Sequence, residues 1–470
     1  MAMAPWRSTF HPARFGLALE DGRVRCQLCP RHCTLRPGQL GFCGVRGNHE
    51  GRLVSYNYGK SVHATEEMIE TEAVYHFAPG SRILSMGNIG CMMNCAYCHN
   101  WKTSQAKEVA DRDVHSYTPQ EVVERALRHG IRVLSWTYND PVVWHEFVME
   151  TAALAKRHGL LNLYKSAFYI SPAAIDELLS VIDIFSLSLK SMDPAYYRRL
   201  TKGELEPVLA GIRQVHRSGR HLELSNLMIT DLSDDEDSAR AVARFVLDDL
   251  DASVPLHFVR FHPDYQMTDS VRTPIPRLER ARDVALELGV RHVYLGNVYD
   301  HEATHSDCRG CGARLVERYG MVARGLGLDG SRCAACGTES GIHTLAVVSP
   351  RPDPVIPEAG ASSLRLVEHR WQGDLRSLHV QVRNEDQTAR QLRHRPLESA
   401  HWTTMRLEPG ESHRFILAKS SPDEIGIELG VEPGITSSLH DVFDRAHFPT
   451  VPREAGTLNA DVSPLPAFSR

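Results

Sequence analysis

The stretch Gly90-Cys91-Met92-Met93-Asn94-Cys95-Ala96-Tyr97-Cys98-His99-Asn100-Trp101 constrains this chain more than any other. Three cysteines at C-x3-C-x2-C follow the apolar run Ile83-Leu84-Ser85-Met86, so the thiols belong to a short loop leaving a strand. Three thiolates can hold three irons of a four-iron cluster and leave the fourth iron open to a substrate. A zinc knuckle or three buried free thiols are the competing readings. Structural zinc takes four protein ligands and this triplet offers three, so the spacing favours the cluster.

The other cysteines fall into two further sets, and none of the eleven is left over. Cys26, Cys29, Cys33 and Cys43 lie among turn glycines and Pro30, in a segment too small to build a core without a staple. Four thiolates there suit structural zinc or an auxiliary iron–sulfur cluster equally well on spacing. His32 is a neighbour rather than a ligand, because four cysteines already complete a site. Cys308-Arg-Gly-Cys311 and Cys333-Ala-Ala-Cys336 form paired knuckles, each followed by glycine as in ribbon turns, and zinc is favoured for them. Two-residue gaps in a chain without a secretory leader read as metal sites rather than disulfides.

Between residues 82 and 298 short apolar runs alternate with amphipathic stretches. Strands are predicted at 83–86, 132–137, 161–164, 182–189, 222–229, 256–261 and 293–295, with helices between them. Thr118-Pro119-Gln120-Glu121 and Ser233-Asp234-Asp235-Glu236 read as capping boxes opening two of those helices. Repeated strand–helix units imply parallel strands with right-handed crossovers, closed as a full or partial α/β barrel. Chemistry in such barrels sits at the C-terminal ends of the strands, and the three cysteines follow the first of them.

The expected organisation is an N-terminal four-cysteine module at 1–60, the barrel at 61–300, a zinc-ribbon-like module at 301–348, a proline-rich linker at 349–363 and a β-rich domain at 364–470. The last part rests on period-two alternation in Leu364-Arg-Leu-Val, Leu378-His-Val-Gln-Val-Arg and Ser412-His-Arg-Phe-Ile-Leu, which suggests a sandwich ending in a disordered tail. It carries no cysteine after Cys336 and no catalytic motif, so it reads as a docking module or a packing appendage. A net charge of −5 gives no basic field for nucleic acid. No apolar run is long enough for a bilayer and the N-terminus lacks a signal-peptide core, so a cytoplasmic location without membrane contact is expected.

Residues 15–345 resemble the radical S-adenosylmethionine (SAM) component of the AmmeMemoRadiSam system, a group related to pyruvate formate-lyase activating enzymes. The resemblance is carried by Cys26-Gln-Leu-Cys29-Pro, Gly41-Phe-Cys43-Gly-Val-Arg46, Tyr75-His-Phe-Ala-Pro-Gly-Ser81, Cys98-His-Asn-Trp101, Thr137-Tyr-Asn-Asp-Pro141 and His257-Phe-Val-Arg-Phe-His-Pro-Asp-Tyr265. It implies a [4Fe–4S] cluster on Cys91, Cys95 and Cys98, whose open iron chelates SAM, and reductive cleavage to a 5′-deoxyadenosyl radical that takes hydrogen from a substrate. It implies an electron donor such as ferredoxin or flavodoxin, and a small-molecule or protein substrate. Asn139 and Asp140 are expected to meet the SAM ammonium, Lys190 its carboxylate, and His262 SAM or substrate. Asn139 and Asp140 also fit a turn with a cap before Pro141, Lys190 an ordinary strand-end lysine, and His262 a structural histidine.

Relatives carry Thr-Asn-Gly where this chain has Ser166-Ala167-Phe168, Asp-Leu-Lys where it has Ser188-Leu189-Lys190, a glutamate at Asp140, and Asp-Tyr-Lys-Met where it has Asp264-Tyr265-Gln266-Met267. These departures point to an altered substrate rather than altered cleavage chemistry. Two other readings stand beside this one. The first is a glycyl-radical activating enzyme acting on another protein's backbone. The second is a non-catalytic zinc-binding scaffold, which the acidic balance and the three-cysteine site oppose.

Overall fold

The computed structural model describes residues 5–298, 301–325 and 327–345, and the segments 365–371, 377–396, 403–407, 409–410, 412–418, 425–431 and 435–442. The proline-rich stretch 349–363 and the C-terminal tail lie outside the described residues. The central sheet has eight strands: β1 His63–Met68, β2 Arg82–Gly87, β3 Val133–Thr137, β4 Leu161–Ser166, β5 Ile184–Ser188, β6 His221–Met228, β7 Leu256–Arg260 and β8 Val293–Gly296. Each strand lies beside its predecessor in sequence. β2 to β8 are parallel, and β1 runs antiparallel on β2. Among the described residues no ladder joins β8 to β1, so the sheet is a partial barrel of the expected α/β class.

Six helices return the chain between β2 and β8: α1 Pro119–Arg128, α2 His145–Arg157, α3 Pro172–Val181, α4 Leu205–Arg217, α5 Glu236–Asp249 and α6 Ile275–Leu288. Thr118 caps α1 as expected. Its hydroxyl accepts from the Glu121 N–H at 3.2 Å, and the Glu121 carboxylate accepts from the Thr118 N–H at 2.7 Å. Ser233 does not cap α5. Its hydroxyl oxygen accepts from Ile229 N at 3.0 Å to close the turn after β6, which leaves Asp235 to cap the helix through Ser238 N at 2.8 Å. β1, His63-Ala-Thr-Glu-Glu-Met68, precedes the first expected strand at 83–86. Glu66 and Glu67 are buried, Glu66 against Arg82 and Glu67 against the Tyr138 hydroxyl.

Period two along the parallel strands separates two faces. One face, with Leu84, Met86, Leu134, Trp136, Phe185 and Leu224, joins the large core under the helices. The other turns into the barrel. At the N-terminal end of the strands Ile83, Val133, Leu163 and Ile184 cluster with Ile69 and Val74 as an apolar plug. One step further along the strands the same face turns polar, with Ser85 opposite Ser135, Lys165 opposite Ser186, and Ser186 opposite Glu223. This gradient leaves a polar interior under the C-terminal mouth.

The two four-cysteine segments pack at opposite ends. Leu28 O accepts from Ser171 N at 2.9 Å, in the loop after β4, and Arg46 makes a buried pair with Glu146 of α2 at 2.8 Å. The N-terminal segment therefore sits at the C-terminal ends of the strands. The Cys308–Cys336 segment holds the region before β2 instead. There Arg318 Nη2 donates to Tyr75 O at 2.8 Å and its guanidinium lies 3.6 Å from Glu70, and Ala78 N donates to His343 O at 2.6 Å. Further along the chain, strands Arg365–Trp371, Ile425–Val431, Arg390–Pro396 and Thr403–Leu407 form one antiparallel sheet, and Ser412–Ala418, Ser377–Asn384 and Ile435–Val442 another. Val380 and Val382, and Ile427, Leu429 and Val431, alternate inward to form a core of their own. Among the described residues no helix is long and apolar enough to cross a membrane.

Candidate metal and cofactor site

The loop after β2 is threaded through a narrow seam. Gly90 has φ +87°, and a Cβ there would lie 2.7 Å from Cys43 O and 2.8 Å from a methyl of Val45. Only glycine fits both the conformation and the space. The loop is then pinned on each side. Gly90 N donates to Thr103 O at 3.0 Å, Asn94 N to Thr201 O at 3.0 Å, Ala96 N to Leu200 O at 2.9 Å, and Gln266 N to Ala96 O at 2.9 Å. The loop after β7 closes over it by stacking, His262 on His99 with ring centroids 3.6 Å apart and Tyr265 on Trp101 at 5.4 Å.

Cys95 is buried and Cys91 and Cys98 are half-buried. Burial pushes the Cys91 thiol well above the usual thiol range, with Asp140 adding to the effect, and pushes Cys95 up to about 11 against the opposing pull of Lys190. Thiolates at these positions need a compensating cation, and loading a metal releases protons. Among the described residues only Cys308, Cys311, Cys333 and Cys336 gather their ligand atoms within 4.8 Å of one another, so the Cys91 triplet is wider than a single ion requires. Met93 N points at Cys91 Sγ at 3.4 Å, and Ser104 Oγ lies 3.4 Å from Cys98 Sγ. Wide-set thiols, buried and met by polar hydrogens, fit an iron–sulfur cluster.

Asp140 and Lys190 share this electrostatic neighbourhood. The Asp140 carboxylate is buried, which raises it. It accepts from Ser166 Oγ at 2.8 Å, Ala167 N at 2.8 Å and Val142 N at 3.2 Å, and these bonds together with Lys190 oppose the rise. Asp140 thus caps the turn Pro141–Trp144 and stands in the electrostatic neighbourhood of Cys91 and Lys190. Among the described residues its Oδ2 accepts a single hydrogen bond, from Ala167 N. The Asn139 side chain is spent on bracing, with Nδ2 donating to Asn88 O at 2.5 Å and Oδ1 accepting from Thr103 Oγ1 at 2.9 Å. Lys190 Nζ lies 5.6 Å from the Tyr97 ring centre, just inside the mouth. His262 reaches the cysteine loop through His99, whose Nε2 is 3.0 Å from His262 O.

Beneath the mouth lie groups that strand-by-strand reading passed over. Lys165 Nζ donates to Ser186 Oγ at 3.0 Å and Ser225 Oγ at 3.1 Å, and burial brings it down to about 8 although Glu72 pulls the other way. Glu72 accepts from Thr137 Oγ1 at 2.7 Å and Ser135 Oγ at 2.8 Å, and burial raises it. Burial alone would also raise Glu223, but His221 at 2.9 Å and His257 at 2.8 Å hold it well below the ordinary range. The signal for these residues was present as the period-two polar face Ser135-Thr137, Lys165, Ser186-Ser188 and Glu223-Ser225, hidden among apolar neighbours.

A family model described as the radical SAM superfamily matches residues 88–246. An uncharacterised protein of Methanocaldococcus jannaschii is 37% identical over 329 residues, covering 69% of this chain and 97% of that protein. The pyruvate formate-lyase 1-activating enzyme of Escherichia coli K12 is 27% identical over 179 residues, 36% of this chain and 70% of that enzyme. A solved domain of a pyruvate-formate lyase-activating enzyme from Bacteroides vulgatus covers 35% of this chain and 98% of its own, with a TM-score of 0.31 at 15% identity.

Proposed function

This chain belongs to the radical SAM superfamily, and from that premise we propose that it reductively cleaves SAM and uses the 5′-deoxyadenosyl radical to take hydrogen from a substrate. The observation that carries this reading is the Cys91, Cys95 and Cys98 triplet at C-x3-C-x2-C, set at the mouth of a polar barrel. Bound there, a [4Fe–4S] cluster supplies one electron and an open coordination site for SAM. The chain's own part is to hold and enclose. Asp140 Oδ2 is available to the SAM ammonium and Lys190 to its carboxylate. His262 and Tyr265, stacked on His99 and Trp101, cover the loop and exclude water. A ferredoxin or flavodoxin is the expected reductant, and the cytoplasm the expected compartment.

Asp140 and the strand ends differ from relatives in a linked way. The shorter carboxylate is held by Ser166 and Ala167, which stand where relatives carry Thr-Asn. That exchange keeps the SAM-side carboxylate in place while changing the surface presented to substrate. A second reading, activation of another protein by hydrogen abstraction from its backbone, is supported by the similarity to activating enzymes. The test is anaerobic: iron-loaded protein, SAM and a strong reductant, with release of 5′-deoxyadenosine measured. Release is expected and Cys95→Ala should abolish it. Intact SAM with every reductant tried overturns the proposal. Deuterium transfer from labelled small molecules or from a protein backbone separates the two substrate readings.

A further inference from the structure

The two four-cysteine sets look alike in sequence and differ in space. At Cys308, Cys311, Cys333 and Cys336 all four sulfurs lie within 4.8 Å of one another, with Cys308–Cys336 at 3.5 Å and Cys311–Cys333 at 3.7 Å. Zinc–sulfur bonds of about 2.3 Å put tetrahedral sulfurs about 3.8 Å apart, so this set is closed to the size of one zinc. Among the described residues no three of Cys26, Cys29, Cys33 and Cys43 close to 4.8 Å. They line instead a single small cavity, walled also by Leu28, Leu35, Met92, Val142 and Val143. A lone ion draws its sulfurs closer than these lie, whereas an inorganic core takes a thiolate at each of four corners.

Arg46 lines the same cavity and is 2% exposed. Its Nη1 is spent on Glu146 and its Nη2 on Arg14 O at 2.6 Å, while its Nε, buried, has no partner among the described residues. A buried N–H without an acceptor is costly. A cluster sulfide in the cavity would accept it, and hydrogen bonds to sulfur tune such clusters. The location differs from the zinc-sized set as well. Met92 of the first cysteine loop forms part of the cavity wall, Arg31 Nε donates to Met92 O at 2.6 Å, and Cys43 O abuts Gly90.

We propose that the cavity at Cys26, Cys29, Cys33 and Cys43 holds a second [4Fe–4S] cluster, directly beside the site of the first, and that zinc belongs to the C-terminal knuckles alone. This rests on the cluster reading of the Cys91 site but not on its activity. The test uses the full chain, reconstituted anaerobically with iron and sulfide, with metals quantified and the iron examined by Mössbauer and electron paramagnetic resonance spectroscopy. The parent should carry about eight irons, about eight sulfides and about one zinc. The triple variant Cys91→Ala/Cys95→Ala/Cys98→Ala should keep about four irons in a four-iron signal, and adding Cys29→Ser and Cys33→Ser should remove it while zinc stays. A triple variant with no iron and about two zincs per chain overturns the proposal. If the triple variant precipitates, the parent decides: about four irons rather than about eight overturns it. A parent that never cleaves SAM, together with a triple variant that keeps its cluster, sinks the proposed activity and leaves this inference standing.

Discussion

Gly90 is the residue on which both cysteine sites turn. Adding one methyl to it would demand φ +87° of an L side chain and press a carbon to 2.7 Å from Cys43 O. Strain of this kind costs about 1–3 kcal/mol and is relieved by moving the loop. Gly90→Ala is therefore expected to lower the thermal midpoint and to lose iron from the Cys91 site, measured as iron per chain after desalting. Glu67 gives a pH test. Burial, with Glu72 beside it, raises its carboxyl to about 7. Between the unfolded value near 4.5 and about 7 the folded chain holds a proton that the unfolded chain has lost, so stability falls as pH rises through that window. Glu67→Gln removes this dependence and keeps an acceptor for the Tyr138 hydroxyl. The variant's thermal midpoint should gain on the parent's as pH goes from about 5.5 to about 8, and a constant gap would refute the assignment. At this scale the cysteines were legible because spacing alone marks a ligand set. Lys165 and Glu72 were not. A single charge in an apolar strand shows its role only when Ser186, Ser225, Ser135 and Thr137 arrive from neighbouring strands to meet it.

Elements were legible where local chemistry decides them. α1 begins at its capping box, and α6 spans Ile275–Leu288 because an apolar stripe runs between Pro274 and Gly289. Thr118→Ala removes the acceptor for Glu121 N and should cost about 1 kcal/mol. Its thermal midpoint should drop by a few degrees at most while SAM cleavage stays at the parent rate, since the Thr118 hydroxyl bonds within its own helix turn, to Glu121. A variant that loses cleavage instead would tie α1 to the site. β1 and the start of α5 are both decided by partners outside the local pattern. Glu66 and Glu67 follow partners distant in sequence, Arg82 and Tyr138, and Ser233 serves the turn after β6 rather than the helix it precedes. Local pattern has no access to such partners.

Across the whole molecule the ends of the barrel have separate tasks. The mouth gathers the Cys91 loop, the Cys26–Cys43 cavity and the strand-end side chains, while the base is tied to the zinc-sized knuckles through Arg318, Glu70, Tyr75 and His343. Stripping zinc with a chelator should speed amide exchange in residues 75–81 and leave iron content unchanged. Iron loss in step with zinc would show that the two ends are not independent. Among the described residues the β-rich part after residue 364 has a core of its own, in which Val380, Val382, Ile427 and Leu429 meet. The Methanocaldococcus jannaschii relative matches over 97% of its length while covering 69% of this chain, so the shared fold does not require the whole of it. The squeeze of Gly90 against Cys43 also bears on how the enzyme is made. The N-terminal knuckle leaves the ribosome before the Cys91 loop and forms the wall against which that loop is shaped. A change at either cysteine segment is thereby passed to the backbone of the other.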